Sequence, residues 1–177
     1  MVLRLVQLPL ESSAAALSRH IKHLQDDGSS VLVVTNRLPA EVLLRELVDA
    51  DWSRLVFIDT VSPVPPDPVQ GIHIEHIAGP HLLELLYMRS RRIIQRMPRA
   101  PHVVYYDAHS MSLALPRPVV EELTRSLAMV SSALTWTDII VHNRPLPGWQ
   151  ADLYNQLISH HCDECVTAHP LAARASL

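Results

Sequence analysis

Short runs of β-branched residues alternate with amphipathic stretches along this chain, and that alternation restricts the fold more than any other property. The runs predict strands at Val2–Leu8, Val31–Val34, Leu55–Ile58, Ile72–Ile77, Val103–Tyr106, Asp138–Val141 and Glu164–Thr167. The amphipathic stretches predict helices from Ser12 or Ser13 to Gly28, from Pro39 to Val48, from about His81 to Met97, and at Pro118–Leu134 and Trp149–Ser159. Regular alternation of this kind is typical of an α/β domain with a mainly parallel sheet.

Two of the predicted strands, Val31–Val34 and Leu55–Ile58, contain only apolar residues. Strands of this type are covered on both faces of a sheet, which predicts three layers with helices on either side. The proline-rich segment Ser62–Asp67 is interpreted as a loop within one domain, because neither flank could fold alone. We therefore expect a single domain over residues 1–168, followed by a polar tail at 169–177.

Composition excludes several classes of protein. Hydrophobic residues make up 48% of the 177 residues and charged residues 19%, which argues against long disorder. No apolar run approaches the roughly 20 residues of a membrane span, and no signal-peptide pattern is present. A net charge of −3 gives no reason to expect binding to nucleic acid or to a membrane surface. Two cysteines cannot form a disulfide framework, so a cytoplasmic protein is the default expectation.

Glycine and lysine are scarce, and both matter for phosphate chemistry. The four glycines are Gly28, Gly71, Gly79 and Gly148, and the single lysine is Lys22. A phosphate-binding loop needs clustered glycines at a helix N-terminus and a lysine beside them. A mechanism that depends on such a loop is therefore excluded.

The segment Val103–Asp107, followed by Ala108–Leu113, resembles the Walker B region of RecA-superfamily ATPases. Within that superfamily it is most similar to the archaeal KaiC-like branch, in which an apolar strand ends in Asp-Ser-x-Ser. Further segments fit the same family order: Val31–Pro39, Trp52–Ser62, Ile139–His142 and Cys162–Val166. The resemblance covers about Val2 to Val166 and implies a three-layer RecA-like domain with a mainly parallel central sheet flanked by helices.

The chain departs from that family where nucleotide chemistry takes place. The family's Walker A loop corresponds to Pro9–Ala14, which has no glycine or lysine and carries the negative charge of Glu11. Active relatives have a glutamate after the second strand, whereas this chain has Asn36 and Arg37 there. The resemblance therefore implies a degenerate member that has lost ATP hydrolysis, and no cofactor is expected.

Polar residues follow several predicted strands, and the carboxyl ends of parallel strands are where ligands bind in open sheets. We interpret these residues as a ligand site or the remnant of a nucleotide site: Asn36, Asp59, Asp107, His109, Ser110 and His142. Two carboxylates and two imidazoles could also hold a divalent metal that activates water. The simpler interpretation is that these side chains cap helices through hydrogen bonds.

Three other groups carry possible chemistry. Cys162 and Cys165, like Asp107 and His109, are weak candidates for metal ligands, although Cys165 fits a core position equally well. His73 and Glu75 share one strand face by the period of two, which indicates either half a metal site or a solvent-facing surface. Arginines recur at helical spacing at Arg89, Arg92, Arg96 and Arg99 and could contact phosphate, an acidic partner or solvent.

These observations lead to a functional hypothesis with one rival. The preferred function is that of a regulatory, signalling or scaffolding protein, which contacts itself or an active ATPase paralogue. The rival is a metal-dependent hydrolase or small-ligand binder that uses Asp59, Asp107, His109 and His142. Nucleic acid and membranes are not expected as partners.

Overall fold

The computed structural model of the chain describes residues 3–8, 13–47, 49–78, 82–97, 101–106, 117–118, 121, 137–142, 148 and 164–167. Over these residues the chain forms strands and helices in the predicted order. None of the helices in this part of the chain combines the length and the apolar character that crossing a bilayer requires.

The elements begin and end close to the predicted positions. The strands are β1 (Leu3–Leu8), β2 (Val31–Thr35), β3 (Leu55–Asp59), β4 (His73–His76), β5 (His102–Tyr106), β6 (Thr137–His142) and β7 (Glu164–Thr167). The helices are α1 (Ser13–Asp26), α2 (Ala40–Glu46) and α3 (Leu82–Arg96), with a short 3-10 turn at Trp52–Arg54. The helices predicted at Pro118–Leu134 and Trp149–Ser159 lie largely outside the described residues, as does Val48.

The seven strands form one sheet in the order β4-β3-β2-β5-β6-β1-β7. Every neighbouring pair is parallel, including β2 with β3, β2 with β5, and β1 with both β6 and β7. Parallel neighbours require crossover connections, and between β3 and β4 the crossover is the irregular segment 60–72 rather than a helix. The sheet confirms the predicted α/β class.

One face of the sheet is covered by α1 and α2. Leu17 and Ile21 of α1 are fully buried there, and Phe57 of β3 and Tyr106 of β5 belong to the same apolar cluster. Gly28 ends α1 with a φ of +83°, a left-handed conformation that favours glycine, and the chain then turns directly into β2. The α1 side of the core is therefore built from residues spaced at three and four along the helix.

The opposite face of the sheet is covered by α3. Leu86, Ile93 and Ile94 of this helix are buried, at the spacing expected for an amphipathic helix. Leu32 and Val34 of β2 alternate with the residues that face α1, and both are fully buried. Helices on both sides of the sheet give the three layers that the all-apolar strands predict.

Candidate functional site

Asp59 is the last residue of β3 and lies at the carboxyl edge of the sheet. Its side chain is 0% exposed and accepts four hydrogen bonds from its own chain. Oδ2 accepts from the backbone N–H of Ala40 at 2.9 Å and from Oγ of Ser62 at 2.7 Å. Oδ1 accepts from the backbone N–H groups of Val61 and Ser62 at 2.8 and 3.0 Å. The carboxylate thus joins the start of α2 to the loop that follows β3.

Two opposing effects set the protonation of Asp59. Burial on its own raises the pKa of this carboxyl, but the hydrogen bonds from Ala40, Ser62 and Val61 outweigh burial and lower the pKa below 3.8. The position also places the charge at the positive end of α2, where a carboxylate is favoured. Because its oxygens are occupied by these four donors, Asp59 acts in this structure as a helix and loop cap.

Asn36 follows β2 at the same edge and is 8% exposed. Its backbone N–H donates to the carbonyl of Tyr106 at 3.3 Å, and its Oδ1 lies 3.1 Å from Oγ1 of Thr60. Its Nδ2 is buried and has no hydrogen-bond partner among the described residues. A buried donor without a partner costs free energy, about 1–3 kcal/mol, so Asn36 is the residue here that a ligand would satisfy most directly.

The sheet order limits which predicted site residues can act together. His142 is the last residue of β6, and β6 is separated from β3 by β2 and β5. Three strand spacings of about 4.8 Å place the ends of β3 and β6 roughly 14 Å apart. That separation is large for two ligands of one small cation, which bind at about 2.0–2.6 Å from the metal.

The other candidates are placed only in part. Asp107, His109, Ser110 and Cys162 lie outside the described residues, and Cys165 lies in β7, paired with Leu5 of β1. Over the portion of the chain that is described, no group of three or more His, Cys, Asp or Glu residues could hold a metal ion.

Sequence reasoning missed Thr60 and Ser62 as parts of this edge. Oγ1 of Thr60 donates to the carbonyl of Thr35 at 2.7 Å and lies 3.1 Å from Oδ1 of Asn36, which joins the ends of β2 and β3. The available signal was the short stretch Asp59 to Ser62, since an aspartate commonly accepts from backbone N–H groups two and three residues later.

No family model and no curated protein sequence matches the chain. Among solved structures, KaiC-like protein PH0186 from the hyperthermophilic archaeon Pyrococcus horikoshii aligns with a TM-score of 0.57 and 14% identity. That alignment covers 81% of this chain and 62% of the other, so this chain spans less than two thirds of that protein.

A second structure shows the same likeness at greater coverage. It is an uncharacterized protein, PH0321, from Pyrococcus horikoshii, solved in complex with an unknown peptide. The TM-score is 0.65 at 12% identity, and the alignment covers 95% of this chain and 77% of the other. Together with the seven-stranded parallel sheet, these likenesses show that the chain has a RecA/KaiC-like fold.

Proposed function

We propose that this chain is a non-catalytic RecA/KaiC-like domain that acts as a regulatory, signalling or scaffolding protein through contacts with other proteins. The proposal rests on one observation: the residues that phosphate chemistry would need are either absent from the β1–α1 segment or bound to another side chain. Lys22, the only lysine of the chain, lies on the exposed side of α1 and its Nζ binds Oδ1 of Asp26 at 2.8 Å. The segment before α1, Pro9–Ser12, supplies neither glycine nor lysine.

The end of β3 supports the same proposal. A carboxylate at this edge can bind magnesium or activate water only if its oxygens are available. The oxygens of Asp59 already hold the start of α2 and the following loop in place. Asp59 thus helps to build this edge, and the family resemblance implies that Asn36 and Arg37 stand where active relatives carry a glutamate.

Purified protein is expected to release no phosphate from Mg-ATP above the rate of a heat-denatured sample. The reason is that transfer of a phosphoryl group depends on positioned positive charge around the phosphates, and the β1–α1 segment lacks it. A colorimetric phosphate assay, with an active KaiC-like ATPase as the positive control, makes the measurement. Turnover that disappears in an Asp107→Asn variant would contradict the proposal and favour the hydrolase alternative.

Contacts with another protein are supported by two large apolar side chains on the outer side of α3. Tyr87 is 46% exposed and Met88 is 62% exposed, one after the other on this helix. Tyrosine and methionine are enriched at protein interfaces, where burial of one such side chain contributes roughly 1.5–3 kcal/mol. We infer that this side of α3 contacts a second copy of the chain or an active ATPase paralogue.

A Tyr87→Ser/Met88→Ser variant is expected to weaken that association by roughly tenfold or more, because two apolar contacts are lost together. Light scattering coupled to gel filtration measures self-association, and capture of the paralogue by tagged protein measures the mixed complex. Val64→Ser is the control, since Val64 is also well exposed, at 65%, but lies in the loop between β3 and β4. A strictly monomeric protein that captures no paralogue would overturn the proposed function.

A further inference from the structure

A cavity of about 570 Å³ lies between α3 and the amino-terminal ends of β2, β3 and β4. Ser30, directly before β2, and Arg54, directly before β3, place it at the amino-terminal edge of the sheet. Asn36 and Asp59 lie at the other end of the same strands. The cavity is therefore separate from the carboxyl-edge site.

Strand register and helix spacing bring the charged residues of the cavity together. His73 of β4 pairs with Val56 of β3 and Glu75 pairs with Ile58, so both lie on the sheet face that α3 covers. Arg89, Arg92 and Arg96 follow each other at intervals of three and four, which places them along one side of α3. All three arginines, together with Arg54, line the cavity.

Two of the four arginines are held by neighbouring groups. Nη1 of Arg89 binds Oε1 of Glu75 at 2.8 Å, and the side chain of Glu75 is 23% exposed. Nε of Arg54 binds Oδ2 of Asp51 at 2.7 Å, and its Nη1 donates to the carbonyl of Gln25 at 3.1 Å. Hydrogen bonds from Ser53 and Arg54 lower the pKa of Asp51, which keeps this carboxylate charged. These bonds fix the position of two guanidinium groups before any ligand arrives.

Because of Arg92 and Arg96, the cavity carries an excess of positive charge. Neither forms a salt bridge or hydrogen bond with another described residue. Interaction with the negative end of the helix dipole accounts for an arginine in the last turn, such as Arg96, but not for Arg92 or Arg89 earlier in α3. Like charges around one concavity repel each other, and a bound anion would remove that cost.

We propose that this cavity binds a small phosphorylated organic molecule, with Arg92 and Arg96 as the principal phosphate ligands. The planar guanidinium group matches a phosphate through two parallel hydrogen bonds, which favours phosphate over a simple halide. Val56, Ile93 and Met97 also line the cavity and provide an apolar surface for the organic part. A volume of about 570 Å³ is within the range typical of small-molecule sites.

A nucleic acid fits this cavity less well than a small phosphate ester does. Nucleic-acid surfaces that accept single strands combine positive charge with aromatic platforms, and the lining described here contains no Phe, Tyr or Trp.

The first test is isothermal titration calorimetry of the full chain with phenyl phosphate and with inorganic phosphate at low ionic strength. We expect saturable binding of both, with phenyl phosphate the tighter of the two because its ring contacts the apolar surface. In an Arg92→Gln/Arg96→Gln variant, Kd should rise roughly tenfold or more, since charge-assisted hydrogen bonds are lost. Arg91→Gln is the matched control, because Arg91 is an exposed arginine of the same helix that does not line the cavity.

A second variant tests whether the cavity prefers a negatively charged ligand. Glu75→Gln removes the one negative charge of the lining but keeps an oxygen that can accept from Arg89, so phenyl phosphate should bind several-fold more tightly. Weaker binding in this variant would overturn the proposal, as would failure of the wild-type chain to bind either probe at millimolar concentration. Equal losses in Arg91→Gln and in the double variant would indicate diffuse surface charge rather than a site. Displacement of phenyl phosphate by a single-stranded oligonucleotide of higher affinity would favour a nucleic-acid surface and would also overturn it.

Discussion

Replacement of Asp59 by alanine is expected to lower the free energy of unfolding by about 3–5 kcal/mol, one of the two largest effects we predict for a single substitution. The substitution removes the acceptor of four hydrogen bonds from a fully buried position. The N–H groups of Ala40, Val61 and Ser62 would then lack the partner that compensates for their removal from water. The start of α2 would also lose the charge that stabilises it.

Chemical denaturation, with circular dichroism as the readout, measures this loss. Asp59→Asn should cost less than alanine, because an amide keeps one acceptor oxygen but turns an NH2 group toward the remaining donors. Asp67→Ala is the matched control, since Asp67 is an exposed aspartate in the loop after β3 and is expected to change stability by about 0.5 kcal/mol or less. If Asp59→Ala and Asp67→Ala were equally mild, the capping role of Asp59 would be wrong.

Lowering the pH should weaken the hydrogen bonds of Asp59 without a loss of side-chain volume. The pKa of Asp59 is lowered in the folded chain, so the folded state binds fewer protons than the unfolded state near pH 3.8. The stabilisation is fully present above that ordinary value and is lost as pH falls through the lowered folded value. In Asp59→Asn this part of the acid dependence should disappear, which a series of denaturation curves between neutral and acidic pH would measure.

The central part of the sheet could be predicted from sequence because local pattern and final environment agree there. Val31–Val34 contains no polar residue, and β2 is indeed buried along its whole length between β3 and β5. The end of α1 could also be predicted, since Gly28 provides the positive φ at which the helix terminates. Segment order and the family resemblance then gave the RecA-like fold, which the likeness to two Pyrococcus horikoshii structures supports.

The role of individual polar residues was less predictable, because it depends on contacts between distant parts of the chain. Asp59 was open to interpretation as a ligand or as a cap, and its contact with Ala40, nineteen positions earlier, is what makes it a cap in the structure. Glu75 was expected to face solvent or to form half a metal site. In the structure it binds Arg89 of α3, fourteen positions later in the chain. No local pattern specifies which helix residue will reach a given strand.

Replacement of Phe57 by alanine is the second large effect, with an expected loss of about 3–5 kcal/mol in the free energy of unfolding. Phe57 is the only phenylalanine of the chain, is fully buried in β3, and packs in the apolar cluster beneath α1 and α2. Alanine would leave a cavity in a core of close-packed side chains that can relax only in part. Denaturation with urea, compared with wild type at the same protein concentration, measures the loss.

Val56, the neighbour of Phe57, provides a control that also separates the two faces of the sheet. It is only partly buried and lines the arginine-rich cavity, so Val56→Ala should cost about 1 kcal/mol of stability or less. Because adjacent strand residues point to opposite faces, Val56→Ala should weaken binding of phenyl phosphate, whereas Phe57→Ala should leave the affinity of the folded fraction unchanged. Equal effects of the two substitutions on both stability and binding would contradict the assignment of the α1 face to stability and of the α3 face to ligand. A loss mainly of stability in Phe57→Ala and mainly of affinity in Val56→Ala is what we expect if the two faces of β3 serve different purposes.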